Sequence, residues 1–264
     1  MREFLGFLFW VGMWGLFALP PFAGSLEAYH RNTKITLISL YDNYQVKPGL
    51  KTDWGFSTLV KIDGEAILFD TGGDAQILLY NMKKLGIEPA SIKKVIISHI
   101  HSDHLGGLMG FLKKNSDVQV FVPLSFPESV KNRIRNAGAQ LVEVSGPVKI
   151  TDCVYTTGEL PGPPEEQSLI IDSPRGLVII TGCAHPGILN IVRKAREFME
   201  KKEVYLVLGG FHHPRLEVVR AFRVLGVKKV APSHCTGERQ REAFKKEFGD
   251  DFIPYGVGRI VEIY

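Results

Sequence analysis

The sequence predicts an α/β fold built as a four-layer αββα sandwich, in which two mixed β-sheets pack face to face and helices flank both. Three observations lead there. Short β-branched and apolar runs first meander through hairpin turns, later runs alternate with amphipathic helical segments, and the arrangement occurs in two halves of similar style. The chain has 264 residues, 45% of them hydrophobic and 23% charged, enough for one large buried core.

Each element follows from local pattern. Residues 34–41 alternate apolar and polar positions as a strand does, and residues 57–62 and 66–69 form a hairpin across the turn dipeptide Asp63-Gly64. Residues 74–85 carry helical periodicity that stops at Gly86. Residues 94–98 are a β-branched run, read as a buried strand. A helix over 107–114, a strand over 118–122 and a helix over 127–137 ending at Gly138 come next. A β-rich middle spans 140–144, 148–150, 154–157, 168–172 and 177–181. A helix over 188–199, a strand at 204–208, a helix over 216–225 and a strand at 229–232 follow. A charged helix at 238–248 and a final strand at 259–263 complete a single domain over 33–264, without linkers or repeats of fixed period.

The first 28 residues differ from this domain. Residues 4–18 carry no charge and are almost wholly apolar, and Pro20, Pro21, Ala23, Gly24 and Ser25 follow. The segment reads as a secretory signal, or as an uncleaved membrane anchor, although it is short of the roughly 20 apolar residues of a spanning helix. A buried helix is a poorer reading, because no polar face is present. The domain is therefore expected outside the cytoplasm, periplasmic or membrane-anchored, touching membrane only through this segment.

The net charge is only +4, from 32 basic and 28 acidic side chains, which argues against a nucleic-acid partner and for a small-molecule substrate. The lysine pairs at 83–84, 113–114, 201–202 and 245–246 sit at helix ends, where they are solvated and complement the helix dipole. Three cysteines, Cys153, Cys183 and Cys235, do not make a disulfide framework, and two of them adjoin histidine segments.

The chemistry is concentrated in Ser98-His99-Ile100-His101-Ser102-Asp103-His104-Leu105-Gly106-Gly107. Side chains two apart on extended backbone share a side, so His99 and His101 can grip one cation, while Asp103 and His104 face a second position where the chain enters a helix. Gly106 and Gly107 permit a tight turn and close packing. Imidazole and carboxylate suit two divalent ions, zinc first, with iron, manganese or magnesium as alternatives. Three histidines and an aspartate within six residues make a metal site much the better explanation than satisfied core histidines. Three later histidines follow predicted strands: His185 in Gly182-Cys183-Ala184-His185-Pro186-Gly187, His212 in Gly209-Gly210-Phe211-His212-His213, and His234 in Ser233-His234-Cys235-Thr236-Gly237. Strand ends are where α/β folds gather their sites.

His-x-His-x-Asp-His over His99 to His104 resembles the signature of the metallo-β-lactamase superfamily. The likeness extends from Lys34 to the C-terminus. Leu68-Phe69-Asp70-Thr71-Gly72 resembles the family's earlier strand-end motif, whose aspartate orients ligands, and His234 resembles the last ligand. The chain also departs from the pattern. No histidine lies between His104 and His185, and Gly182-Cys183 stands where Gly-Asp would carry a bridging carboxylate. His185 is the favoured ligand from that strand end, with Cys183, Glu159 and His212 as further candidates, whereas His30 and His213 are expected to have no catalytic role. The departures resemble the branch named for dihydropterin–ribofuranosylaminobenzene phosphate synthase, as do Asp42-Asn43 and Trp54-Gly55-Phe56-Ser57, although Trp54 stands where that branch commonly has histidine. Most members of that branch are described simply as metal-dependent hydrolases.

The resemblance implies metal ligands His99, His101, Asp103, His104, His185 and His234, and a hydrolase that activates water at a dinuclear site against an ester or phosphoester. Asp103 would help hold the nucleophile, with His212 or Glu159 passing a proton to the leaving group. The alternatives are a transferase releasing pyrophosphate in pterin biosynthesis and a non-hydrolytic metal-binding protein. The loop Leu160-Pro161-Gly162-Pro163-Pro164-Glu165-Glu166 reads as either a lid or plain surface.

Overall fold

The computed structural model describes residues 33–201 and 203–264, so the expectations for residues 1–28 and for His30 lie outside the described residues. Strands β1 (Ile35–Tyr41), β2 (Ser57–Ile62), β3 (Glu65–Phe69), β4 (Lys94–Ile96), β5 (Gln119–Pro123) and β6 (Gln140–Val144) join β13 (Ile260–Ile263) in one sheet. Its order is β13-β1-β2-β3-β4-β5-β6. The second sheet runs β12-β11-β10-β9-β8-β7, from β7 (Val148–Lys149), β8 (Val154–Thr156), β9 (Leu169–Ser173), β10 (Gly176–Thr181), β11 (Val204–Gly210) and β12 (Val227–Ser233).

Both sheets are mixed. The hairpin β2–β3 is antiparallel, pairing Ile62 with Glu65 across Asp63-Gly64, whereas β3 through β6 run parallel, as do β10, β11 and β12. The parallel strands aim their carboxyl ends at common edges, and the segments carrying Asp70, His99, His185, His212 and His234 follow β3, β4, β10, β11 and β12 at such ends.

Alternation along the strands sorts side chains into three cores. Ile96 of β4 and Val178, Ile180, Leu206 and Leu208 of β10 and β11 fill the space between the sheets, with Leu37, Phe56, Phe69 and Ile171. Val95 and Ile97 point the other way, beneath helices α1 (Ala75–Lys84), α2 (Ser102–Leu105), α3 (Leu108–Leu112) and α4 (Glu128–Asn136). Leu177 and Ile179 meet α5 (Ile188–Phe198), α6 (Glu217–Val224) and α7 (Glu238–Phe248) on the opposite outer face. The result is the predicted αββα order of layers.

Local chemistry sets the helix limits. Asp74 caps α1 by accepting from the backbone N–H of Gln76 at 2.5 Å and Ile77 at 3.2 Å, and Lys83 and Lys84 occupy its last turn. The helix read over 107–114 is present as the shorter α3, and a separate helical turn that was not expected, α2, precedes it and contains Asp103 and His104. Cys153, Cys183 and Cys235 are buried and form no disulfide. Among the described residues, no helix is long and apolar enough to cross a membrane.

Candidate metal centre

The approach of α2 and α3 to the strand ends builds the first half of the site. Backbone N–H groups of Thr71 and Gly107 donate across the junction to His104 and Gly72 carbonyls, at 2.8 and 3.0 Å. Gly106 and Gly107 have ordinary helical φ angles of −60° and −73°, so their role is close packing rather than turn geometry. A Cβ on Gly107 would lie 2.1 Å from the Thr71 carbonyl oxygen, and one on Gly106 2.3 Å from that of Gly73. This contact seats Asp103 and His104 over the end of β3.

Two groups of donors result. His99, His101 and His185 present ligand atoms within 4.8 Å of one another, and Asp103, His104, Cys183 and His234 do the same beside them. A third combination, Cys183, His185 and His212, overlaps both at its edge. The groups adjoin: the His99 and His104 rings have centroids 4.2 Å apart, and the His99 and His185 rings 4.6 Å apart. His104 Nε2 is 3.2 Å from both His234 Nε2 and Cys183 Sγ, and Asp103 Oδ2 is 3.3 Å from His234 Nε2. Residues 131 positions apart or more along the chain, from Asp103 to His234, thus meet at one rim.

The outward nitrogens of His99, His104, His185 and His234 are each held by a partner, which fixes ring orientation. Asp70 Oδ2 accepts from His104 Nδ1 at 2.7 Å, while its carboxylate also takes the Ser98 N–H and hydroxyl, each at 2.7 Å. Ser98 Oγ lies 2.9 Å from His99 Nδ1, and Asn43 Oδ1 lies 3.1 Å from His234 Nδ1. Glu166 does the same for His185, through Nδ1 at 2.8 Å. His99 then offers Nε2 and His101 offers Nδ1, 3.2 Å apart.

Glu166 was not among the sequence-derived site residues, although it ends the loop read as lid or surface. It is wholly buried. Its Oε1 accepts from the backbone N–H groups of Gly182, Cys183 and Ala184 at 3.1, 2.9 and 2.9 Å, and its Oε2 from that of His185 at 2.9 Å. Burial opposes its charge, but these donors and the His185 ring hold its pKa down at about 2. The neighbouring Gln167 donates to the carbonyls of Ile97 and Phe121, tying the loop to the opposite sheet. Glu159, by contrast, is in none of the donor groups, and its carboxylate accepts from the Ser125 N–H at 2.7 Å.

Several site residues have backbones in the left-handed region, at φ 57° for Asp70, 65° for Ala184, 51° for His212 and 48° for His234. Such conformations cost of order 1–3 kcal/mol each and persist where surrounding contacts over-determine them. Gly182 avoids a clash rather than strain, since a Cβ there would be 2.1 Å from Ser98 Oγ.

The donor set fits cations. Burial, followed by repulsion from His104, keeps the His99 pKa well below the usual imidazole range, and burial and His234 push His104 down to about 3. Burial is the largest single influence on His234 and lowers its pKa, but the hydrogen bond to Asp103 together with the charges of Cys235, Asp42 and Asp103 outweighs it, and the net direction is up. Asp103 stays ionised for the matching reason: His234 and His104 offset its partial burial and lower its pKa. Imidazole nitrogens turned toward one another, beside a carboxylate and a thiol, form a donor set that a divalent ion satisfies. His101 and His212 are exposed at the open side, His213 is exposed with its backbone N–H on the Cys235 carbonyl, and Trp54, half exposed, stacks near His234 at 4.9 Å.

Comparison with known proteins agrees with this architecture. Residues 54–234 match the family model of the metallo-β-lactamase superfamily. A 7,8-dihydropterin-6-methyl-4-(β-D-ribofuranosyl)-aminobenzene-5′-phosphate synthase from Methanocaldococcus jannaschii is 32% identical, over 79% of this chain and 89% of its own. A ribonuclease Z from the same organism is 28% identical over 74% of this chain and 53% of its own. The crystal structure of a metal-dependent hydrolase of the β-lactamase superfamily superposes with a TM-score of 0.72 at 29% identity, covering 87% of this chain and 99% of that one. The fold, the paired donor groups and these matches make the chain a member of the metallo-β-lactamase superfamily.

Proposed function

We propose that the protein is a metal-dependent hydrolase that directs water against an ester or phosphoester, using a dinuclear site. The observation carrying this reading is the pair of abutting donor groups, His99–His101–His185 and Asp103–His104–Cys183–His234, whose inward nitrogens are oriented by buried partners. Bound divalent ions, zinc foremost, would supply Lewis acidity and bring the pKa of a coordinated water from 15.7 towards about 7.

The chain's own residues divide the remaining work. Asp70, Glu166, Asn43 and Ser98 hold the rings of His104, His185, His234 and His99 in orientation through the nitrogens that face away from the donor groups. Asp103, kept ionised beside His234, is placed to accept a hydrogen bond from the attacking water. His212 stands at the open rim with its ring centroid 4.5 Å from that of His185, and a hydrogen bond to Cys235 raises its pKa against the effect of partial burial. It is thereby suited to deliver a proton to a leaving group.

The test is metal analysis of the purified full chain together with a screen of ester and phosphoester substrates. Two equivalents of metal and metal-dependent turnover are expected, and a chain that binds no metal would remove the reading. A second reading follows from the synthase relative: a transferase acting on pterin and arylamine phosphate substrates, detected as pyrophosphate release rather than ester hydrolysis. The N-terminal segment, proposed as an export signal or anchor, favours the hydrolase, because pterin biosynthesis is cytoplasmic; fractionation of cells expressing the full chain tests that placement.

A further inference from the structure

A cleft of about 370 Å³ shares two walls with the metal centre, His185 and His212. Ile188, Phe211 and Val218 give it an apolar lining, and Arg193, five residues beyond Ile188 on α5, lines it as well. Arg193 differs from its neighbours on α5. Lys194 pairs with Glu197 at 2.9 Å and Arg196 donates to the Leu225 carbonyl at 3.2 Å, whereas Arg193 has no hydrogen bond or ion pair among the described residues. An exposed guanidinium without an ion pair, lining the same partly apolar cleft as His185 and His212, is suited to read a substrate. Arginine suits this role, since its planar fork takes a carboxylate or phosphate through two parallel hydrogen bonds.

We propose that this cleft binds the body of the substrate, with Arg193 reading an anionic group, carboxylate or phosphate, carried across an apolar spacer from the bond that is broken. The inference rests on the hydrolase reading and deepens it by naming a substrate class: an amphiphilic anion with its scissile ester at the His185–His212 end. The spacer lies along Phe211, whose ring is almost completely buried and forms a rigid floor backed by Phe222 and Phe244, at centroid distances of 5.6 and 5.4 Å. No acidic side chain lines the cleft, so an anion entering it meets no opposing carboxylate.

The test uses a matched ester series with one scissile group and one aryl spacer, ending in a neutral amide, a carboxylate or a phosphate. Wild-type full chain, Arg193→Ala and Arg193→Glu are compared by kcat/KM, with metal content measured for each. The wild type is expected to favour an anionic member over the neutral one by about tenfold or more, mainly through KM, as a charge-assisted bidentate contact gives. The relative rates of carboxylate and phosphate identify which anion is read. Arg193→Ala should abolish the preference while leaving metal content unchanged, and Arg193→Glu should invert it. Equal rates across the series in the wild type, or a preference surviving in Arg193→Ala, would overturn the proposal. Turnover of the neutral ester reports on the hydrolase reading by itself. If no ester is cleaved, calorimetric binding of the corresponding non-hydrolysable amides to wild type and Arg193→Ala still decides whether the cleft reads the anion.

Discussion

Replacing Glu166 by glutamine changes one atom and reaches the metal centre through a proton. In the native arrangement Oε1 accepts from three backbone N–H groups and Oε2 from the His185 N–H and ring Nδ1. A glutamine keeps the three-donor side satisfied by placing its carbonyl oxygen there, because the reverse orientation sets an NH₂ group against three N–H donors. The amide NH₂ then faces His185. The His185 backbone N–H loses its acceptor, at about 1–3 kcal/mol for a buried donor. The ring can avoid a second donor–donor clash only by moving its proton from Nδ1 to Nε2, and Nε2 is the nitrogen that must face a cation. Loss of a partner that orients a metal-binding histidine typically weakens affinity about 10–100-fold. For a domain of this size about 2 kcal/mol corresponds to a Tm lower by roughly 4–8 °C. Calorimetric unfolding of metal-free protein measures the first effect and zinc titration against a chromophoric chelator the second. A Glu166→Gln variant with wild-type Tm and wild-type affinity for both ions would refute the role given to this carboxylate.

Four further outcomes follow from the same geometry. Glu166 has a folded pKa near 2 against an ordinary value of 4.5, so its stabilising contribution, about 3 kcal/mol, is complete above pH 4.5 and is lost as pH falls towards 2. Chemical unfolding of metal-free wild type should weaken across that window, and Glu166→Gln should flatten the profile. His101→Ala removes an exposed ligand and should cost most of the bound metal in the His99–His101–His185 group while shifting stability by less than about 0.5 kcal/mol; metal content and Tm measure this, and unchanged metal would refute the assignment. Cys183→Ser should abolish the thiolate-to-cobalt charge-transfer absorption of the cobalt-substituted protein, and its persistence would exclude Cys183 as a ligand. Gly107→Ala places a Cβ 2.1 Å from backbone oxygen and should destabilise by about 1–3 kcal/mol or more, read by denaturant titration.

Most of the fold was legible because its strands and helices obey their own periodicities. The alternation of Val95, Ile96 and Ile97 between the helix-covered face and the inter-sheet core is visible in the sequence as a bare apolar run, and the Asp63-Gly64 hairpin and the Asp74 cap lie where their chemistry requires. The separate helical turn at Ser102–Leu105 was not legible. Its boundary is set by Gly106 and Gly107 packing against the main chain of Thr71 and Gly73, a contact between segments more than thirty residues apart that no local pattern carries.

The candidate site divides along the same line. Clustered histidines advertise themselves, because histidine is scarce and its spacing at strand ends is readable; His99, His101, His104, His185 and His234 all belong to the candidate donor groups. The groups that hold those rings are common residue types, and only the fold gives them meaning. Asp70 was recognisable because it follows a strand within a familiar motif. Glu166 was hidden beside Glu165 at the end of a proline-rich loop, with nothing in the sequence to show that one of the two is exposed and the other wholly buried. Glu159 looked equally suitable by position, yet it braces Ser125 instead. What separates these acids is supply of donors. A carboxylate can remain ionised in a buried position only where enough N–H groups converge on it, and the turn from Gly182 to His185 supplies four, together with the His185 ring. The strained Ala184 at φ 65° lies within that turn, so the backbone distortion that aims these donors at Glu166 is the same feature that aims His185 at the metal position.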